Sequence, residues 1–234
     1  MAEQLPILLS TQTHASFDNF HGGGASCPAV ALLQSMRAPS APKLLYLWGG
    51  AGAGKSHLLH ACCRLLESEG WMVHYLPLTL YRDQPIPPLS LLEGLDQGGM
   101  ILVDDVEAVA GEPKWEELLF HLLNQARDQQ QSVVVTSQHP LSELAISLPD
   151  LRSRLGEAVS EYLQPLTAEE KWVVIQQRAH EQGMEIGDEV VNYLINRTSR
   201  DFDTLFTLLE QLDRETLAKQ RKITIPFVKE LLRL

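Results

Sequence analysis

The chain has 234 residues, 44% of them hydrophobic, and a formal net charge of −11. That length supports one domain or a large one with a small partner, and the acidic balance argues against non-specific DNA binding, which needs clustered Lys and Arg. No apolar run is long enough for a membrane helix, and no positive charge precedes Leu5-Pro6-Ile7-Leu8-Leu9, so neither an anchor nor a signal peptide is expected. Cys27, Cys62 and Cys63 are too few, odd in number and too close to form a disulfide framework; a reducing, cytoplasmic compartment is expected.

In chain order, the first strand candidate is Leu44–Trp48, followed by a glycine-rich stretch and a helix over His57–Glu67. Further strands are expected at Met72–Leu76, Met100–Val103 and Val133–Thr136, with an edge strand at Ala158–Leu163. Each of the first four is short and nearly all apolar, as strands covered on both faces are. Helical patterns at Leu89–Leu95 and Lys114–Gln129 alternate with them, while Pro85, Pro87 and Pro88 mark a loop. The expected fold class is α/β, a parallel sheet flanked by helices. After Pro165 the pattern becomes wholly helical. Thr167 and Glu170 form a capping box for a helix over about 168–182 that Gly183 stops. Asp188 is expected to cap the next helix, a third spans about Phe202–Ala218, and Pro226 opens a last one, Phe227–Leu232.

The segment Gly49-Gly50-Ala51-Gly52-Ala53-Gly54-Lys55-Ser56 satisfies G-x-x-x-x-G-K-[ST] between the first strand and the first strong helix. Backbone N–H groups of such a loop wrap phosphate oxygens at a helix N-terminus. Lys55 is expected to reach the outer phosphates and the Ser56 hydroxyl to bind Mg²⁺. The strand Met100–Val103 runs into Asp104-Asp105. Asp104 is the expected second Mg²⁺ anchor, acting through water, and Asp105 the group that orients or deprotonates an attacking water. Val133–Thr136 is expected to end between the two earlier strands, where Ser137 or Gln138 could meet a terminal phosphate. Arg152 and Arg154 suit a cation offered to a neighbour's phosphate. By spacing alone, a surface salt bridge serves equally well.

These segments together resemble the AAA+ module of the bacterial initiator DnaA over nearly the whole chain. The likeness rests on Phe17–Phe20, Gly54–Ala61, Asp104–Gly111, Thr136-Ser137 and Ser153–Leu155. The C-terminal run Gln220–Glu230, with Gln211–Arg214 before it, is similar to that of the regulatory members that lack an initiator's assembly and DNA-binding parts. The resemblance implies a flexible tail over 1–13, a nucleotide-binding AAA+ α/β domain over 14–163 and a helical lid over 164–234. It implies ADP, or another nucleoside diphosphate, with Mg²⁺ as cofactors; His57 and Arg200 join the loop, Asp104 and Ser137 among the nucleotide-binding positions. Gln4, Leu5, Ile7, Leu8 and Leu9 resemble the peptide that binds the DNA polymerase III sliding clamp (its β subunit). Arg154 matches the family's arginine finger, acting in trans on ATP held by DnaA.

The implied role is negative regulation of replication initiation, with DNA reached only through the clamp and no membrane partner. The family's lid arginine is replaced by Asp203, an acid that would repel a terminal phosphate, and Arg200 lies one helical turn earlier. This favours a bound diphosphate and at most weak ATP turnover. The alternative is an autonomous ATPase of the helicase-loader type. The sequence leaves the oligomeric state open, and a homo-oligomer formed edge to edge is compatible with such modules.

Overall fold

A computed structural model describes residues 15–22, 28–84, 86–88, 91, 94–95, 98–181, 183–197, 208–209, 211–212, 215 and 223–231. Among these residues, five strands form one parallel sheet: β1 (Leu44–Trp48), β2 (Val73–Pro77), β3 (Met100–Asp104), β4 (Ser132–Ser137) and β5 (Val159–Tyr162). Their order is β2-β3-β4-β1-β5. β4 lies between β1 and β3, with Tyr46 opposite Val135 and Val103 opposite Val135 on its other side. The ends of the two motif-bearing strands therefore flank the end of β4, as the sequence led one to expect.

The period of two in the strands sorts side chains onto two faces. Leu45, Leu47, Met100, Leu102 and Val134 pack with α1 (Pro28–Ser35) and α2 (Lys55–Ser68). Tyr46, Ile101, Val103, Val133 and Val135 pack on the other face with α3 (Pro113–Asp128) and α4 (Pro149–Gly156). Burial of both faces explains why the central strands read as unbroken apolar runs. β5, at the edge, is mostly exposed, with Val159 and Tyr162 open to solvent.

The sequence pattern did not reveal α1 or α4 as helices. Both are eight residues long and bury only two apolar side chains four apart, Ala29 with Leu33 and Leu151 with Leu155. Two positions carry too little periodicity to announce a helix; the sequence clue is the proline at each start. Other boundaries differ by a residue or two, and β2 begins at Val73, one residue late. The expected helix at 89–95 falls largely outside the described residues.

In the C-terminal part, α5 (Ala168–Glu181) opens on the expected capping box. Thr167 N–H donates to Glu170 Oε2 at 2.8 Å, and Glu170 N–H donates to Thr167 Oγ1 at 3.2 Å. Gly183, at φ 72°, ends this stretch, and Met184 N–H reaches back to the Ala179 carbonyl at 2.8 Å. The opening of α6 (Asp188–Arg197) corrects the sequence expectation. Asp188 is its first helical residue, and the Gly187 carbonyl accepts the Val190 and Val191 N–H groups. Asp188 Oδ1 instead accepts from Gln176 Nε2 on α5 at 3.3 Å. Leu208, Leu209 and Leu212 are helical and pack with α5, α6 and α7 (Ile225–Leu231) around Ile175, Val191, Leu194 and Val228. Among the described residues, no helix is long and apolar enough to cross a membrane.

Candidate nucleotide site

The loop Gly49–Gly54 leaves the end of β1 and delivers the chain into α2. Gly49 N–H donates to the Ser137 carbonyl at 3.1 Å, tying the loop to β4. A side chain at Gly49 would collide with the Leu163 carbonyl. Gly54 precedes α2 with φ 87°, in the left-handed region, and a Cβ there would strike the Phe20 ring. Among the described residues no side chain caps this end, and the first N–H groups of a helix are the ones that receive an anion. Lys55 is nearly buried, and its Nζ donates to the Gly49 carbonyl at 3.0 Å. Its ammonium is thus folded back over the loop that would hold phosphates.

An open cleft lies beside this loop. Its lining joins Gly52, Gly54, Lys55, Ser56 and His57 to Asn19, Phe20 and His21 from the N-terminal side, and to Leu166 and Val174 from the lid. His57 Nε2 lies 3.1 Å from the Ser16 carbonyl and its ring lies 5.7 Å from that of Phe20. Burial pushes its imidazole down to about 4, so it is neutral at pH 7 and donates Nε2–H to that carbonyl. His57 therefore fastens segment 16–20 against the loop.

At the end of β3, Asp104 is buried and both carboxylate oxygens are engaged. Tyr75 Oη on β2 donates to Oδ2 at 2.8 Å, and Thr136 Oγ1 on β4 donates to Oδ1. Burial foremost, then the Asp104 charge, raises the Tyr75 phenol, which keeps it the proton donor. The Asp105 N–H donates to Thr136 Oγ1 at 2.9 Å, and its backbone sits at φ 56°, ψ 59°, a conformation that aspartate tolerates better than most residues. Ser137 is fully buried and its Oγ accepts the His139 N–H at 3.1 Å. Gln138 N–H donates to Glu107 Oε1 at 2.9 Å.

The two arginines of α4 have different surroundings. Arg152 donates to the Leu141, Leu144 and Ile146 carbonyls and fastens the loop before its own helix. Arg154 donates Nε–H and Nη2–H to Asn124 Oδ1 on α3 at 3.2 and 2.7 Å, and Nη1–H to Glu157 at 2.7 Å. Its side chain is 12% exposed. It does not line the cavity formed by the phosphate loop. Further back along α3, the buried carboxylate of Glu116 accepts from Gly111 N–H, Ser147 N–H, Ser147 Oγ–H and Leu148 N–H, clamping the entry to α4 onto α3.

The fold thus gathers Gly49–His57 into one site and sets Asp104, Asp105 and Ser137 at the neighbouring strand ends. It places Arg154 with α3 and α4. Gln4, Leu5, Ile7, Leu8, Leu9 and Arg200, with Asp203, lie outside the described residues. Sequence reasoning passed over Tyr75, Thr136, Asn124 and Glu116 as functional candidates. A tyrosine inside an apolar strand was the signal for the first, and Thr136 entered only through the family likeness, with no role assigned. Asn124 and Glu116 look like any polar positions on an amphipathic helix.

The family profile of the bacterial DnaA ATPase domain matches residues 11–161, and that of the Hda lid domain matches residues 168–232. Domain III of Thermotoga maritima DnaA superposes with a TM-score of 0.71 at 20% identity, covering 94% of this chain and 95% of that one. AMPPCP-bound DnaA from Aquifex aeolicus gives 0.66 at 19% identity, covering 87% of this chain and 66% of that one. A Thermotoga maritima RuvB variant gives 0.61 at 19% identity, covering 94% and 71%. At these identities the likeness to solved structures concerns the fold, while the two family profiles divide most of the chain between them. The chain belongs to the DnaA-like AAA+ family and carries a lid of the Hda type.

Proposed function

We propose that this chain is a regulatory inactivator of DnaA. It binds a nucleoside diphosphate, ADP, at Gly49–His57 as a conformational ligand and acts on ATP held by DnaA. The residues present fit such a ligand. The glycine backbone at positions 52 and 54 adopts the left-handed turn a phosphate cradle needs, Lys55 lies over the loop, and Ser56 stands in the first turn of α2. Mg²⁺, when bound, would neutralise phosphate charge, with Ser56 and Asp104 as the residues to hold it.

The observation that carries the trans reading is the position of Arg154. The guanidinium is absent from the lining of its own chain's cleft and is fixed instead to α3 and to Glu157. A cation held there suits a neighbouring molecule's triphosphate better than its own. On DnaA it would stabilise charge on the phosphoryl group in transfer, an effect on the order of 10³ to 10⁵ in rate for such fingers. The segment Gln4–Leu9 supplies the clamp contact, offering an amide and spaced aliphatics to an apolar groove.

The test is hydrolysis of DnaA-bound ATP in the presence of DNA-loaded clamp. The intact chain is expected to accelerate it. Arg154→Ala is expected to remove the acceleration while retaining the clamp, and joint replacement of Gln4 and Leu5 by Ala to lose clamp retention. Turnover by the chain alone at about 1 per second or faster, indifferent to DnaA, would instead identify an autonomous ATPase.

A further inference from the structure

A buried carboxylate at the end of β3, the neighbour of the strand whose Ser137 carbonyl holds Gly49, faces an electrostatic conflict with a diphosphate bound at the loop. Without a cation it repels the diphosphate, and it is itself costly to bury unless each oxygen has a donor. Here both oxygens of Asp104 have one, and neither donor is charged. Tyr75 reaches Oδ2 from the outer strand β2, one strand beyond β3. Its ring packs at 4.8 Å from that of His60 on α2, and the residue is 8% exposed, so the hydroxyl has little freedom to turn away. Thr136, fully buried on β4, donates to Oδ1 and accepts the Asp105 N–H, which holds its own proton toward Asp104.

We propose that Tyr75 is a positioning residue that sets how strongly nucleotide binding depends on Mg²⁺, by sharing the charge of Asp104. Donation from the phenol draws negative charge off Oδ2, so a metal-free diphosphate meets less repulsion at the loop. The same donation makes Asp104 a weaker partner for the cation or its water. Each carboxylate oxygen accepts more than one hydrogen bond, so the Tyr75 contact weakens that role without abolishing it. Both effects have one sign: with the hydroxyl present, binding with and without Mg²⁺ are brought closer together. Thr136 acts in the same direction on the other oxygen. This inference rests on the reading of the cleft as a diphosphate site, and not on the action in trans.

The experiment is calorimetric titration of the full chain with ADP, once with Mg²⁺ and once with excess EDTA. Wild-type binding in at least one condition establishes the site; absence of binding in both would overturn the diphosphate reading itself. Given binding, Tyr75→Phe is expected to raise the ratio of the dissociation constant in EDTA to that in Mg²⁺ by about tenfold, the scale of one hydrogen bond to a charged group. Asp104→Asn is expected to lower that ratio. A purely structural role for the hydroxyl would weaken both conditions alike and leave the ratio unchanged, and that result would overturn the proposal. Thr136→Val removes the second donor with little change of shape. It is expected to raise the ratio as well and carries the test should Tyr75→Phe fail to fold; an unchanged or lower ratio there counts equally against the proposal.

Discussion

Glu116 is placed where a carboxylate is expensive and is kept ionised by its partners. Burial alone would raise its carboxyl. Hydrogen bonds from Ser147, Gly111 and Leu148 outweigh that and hold it below the ordinary glutamate range. A carboxyl with a depressed folded-state value contributes stability that is fully present above the unfolded value, near pH 4.3, and that is lost as pH falls through the folded value. Glu116→Gln keeps the shape and removes the charge. At neutral pH it is expected to lower stability by about 2 kcal/mol, the scale of charge-assisted hydrogen bonds. The deficit should shrink as pH falls below the unfolded value, near 4.3, toward the lower folded value at which the wild-type carboxyl itself protonates. Denaturant melts of both proteins at pH 7 and pH 3.5 check this; a deficit that stays constant with pH would mean that shape and not charge holds the loop.

The pairing of α3 with α4 turns this local clamp into a setting for Arg154. Glu116 fixes the entry of α4 and Asn124, two turns further along α3, receives two guanidinium N–H groups. Asn124→Ala is expected to cut stimulation of DnaA-bound ATP hydrolysis by about ten- to a hundredfold, because the fork loses its alignment. Asn124→Asp keeps an acceptor and is expected to restore most of it; equal stimulation by the alanine variant and the wild type would show that Asn124 does not position the finger. Elements of this kind mark the limit of what the sequence disclosed. The phosphate loop, the strand ending in Asp104-Asp105 and the central strands were legible because each is a local pattern with a physical cause: glycines for a tight anion turn, unbroken apolar runs for a doubly covered sheet. Arg154 was legible as a candidate, but spacing could not separate it from Arg152. Their difference lies in partners 30 residues away for one and in loop carbonyls for the other. The Tyr75–Asp104–Thr136 contacts span three strands, and the order of those strands is a tertiary fact. Helices α1 and α4 were missed because two buried residues make no period.

At the scale of the whole molecule, the described hydrophobic clusters fall into two groups. The clusters on either side of the sheet draw on residues 29–163, and the lid cluster on residues 166–228. The cleft is where the two groups meet around one ligand site, because Leu166 and Val174 line it together with the phosphate loop and residues 19–21. A nucleotide there would touch the sheet domain and the lid at once and bind neither when they are unfolded. At a ligand concentration of 100 times its dissociation constant, such linkage adds about 2.7 kcal/mol to the folded state. Without nucleotide, calorimetric unfolding is therefore expected to show two transitions, the lid melting first because its core is smaller. Saturating ADP and Mg²⁺ should raise the lower transition and merge it with the upper one. Lys55→Ala removes the ammonium that would meet the phosphates and should leave two transitions at the same ADP concentration. Merging in that variant would show that ligand coupling does not run through the phosphate loop, and a single transition in the ligand-free wild type would show that the two cores already unfold as one.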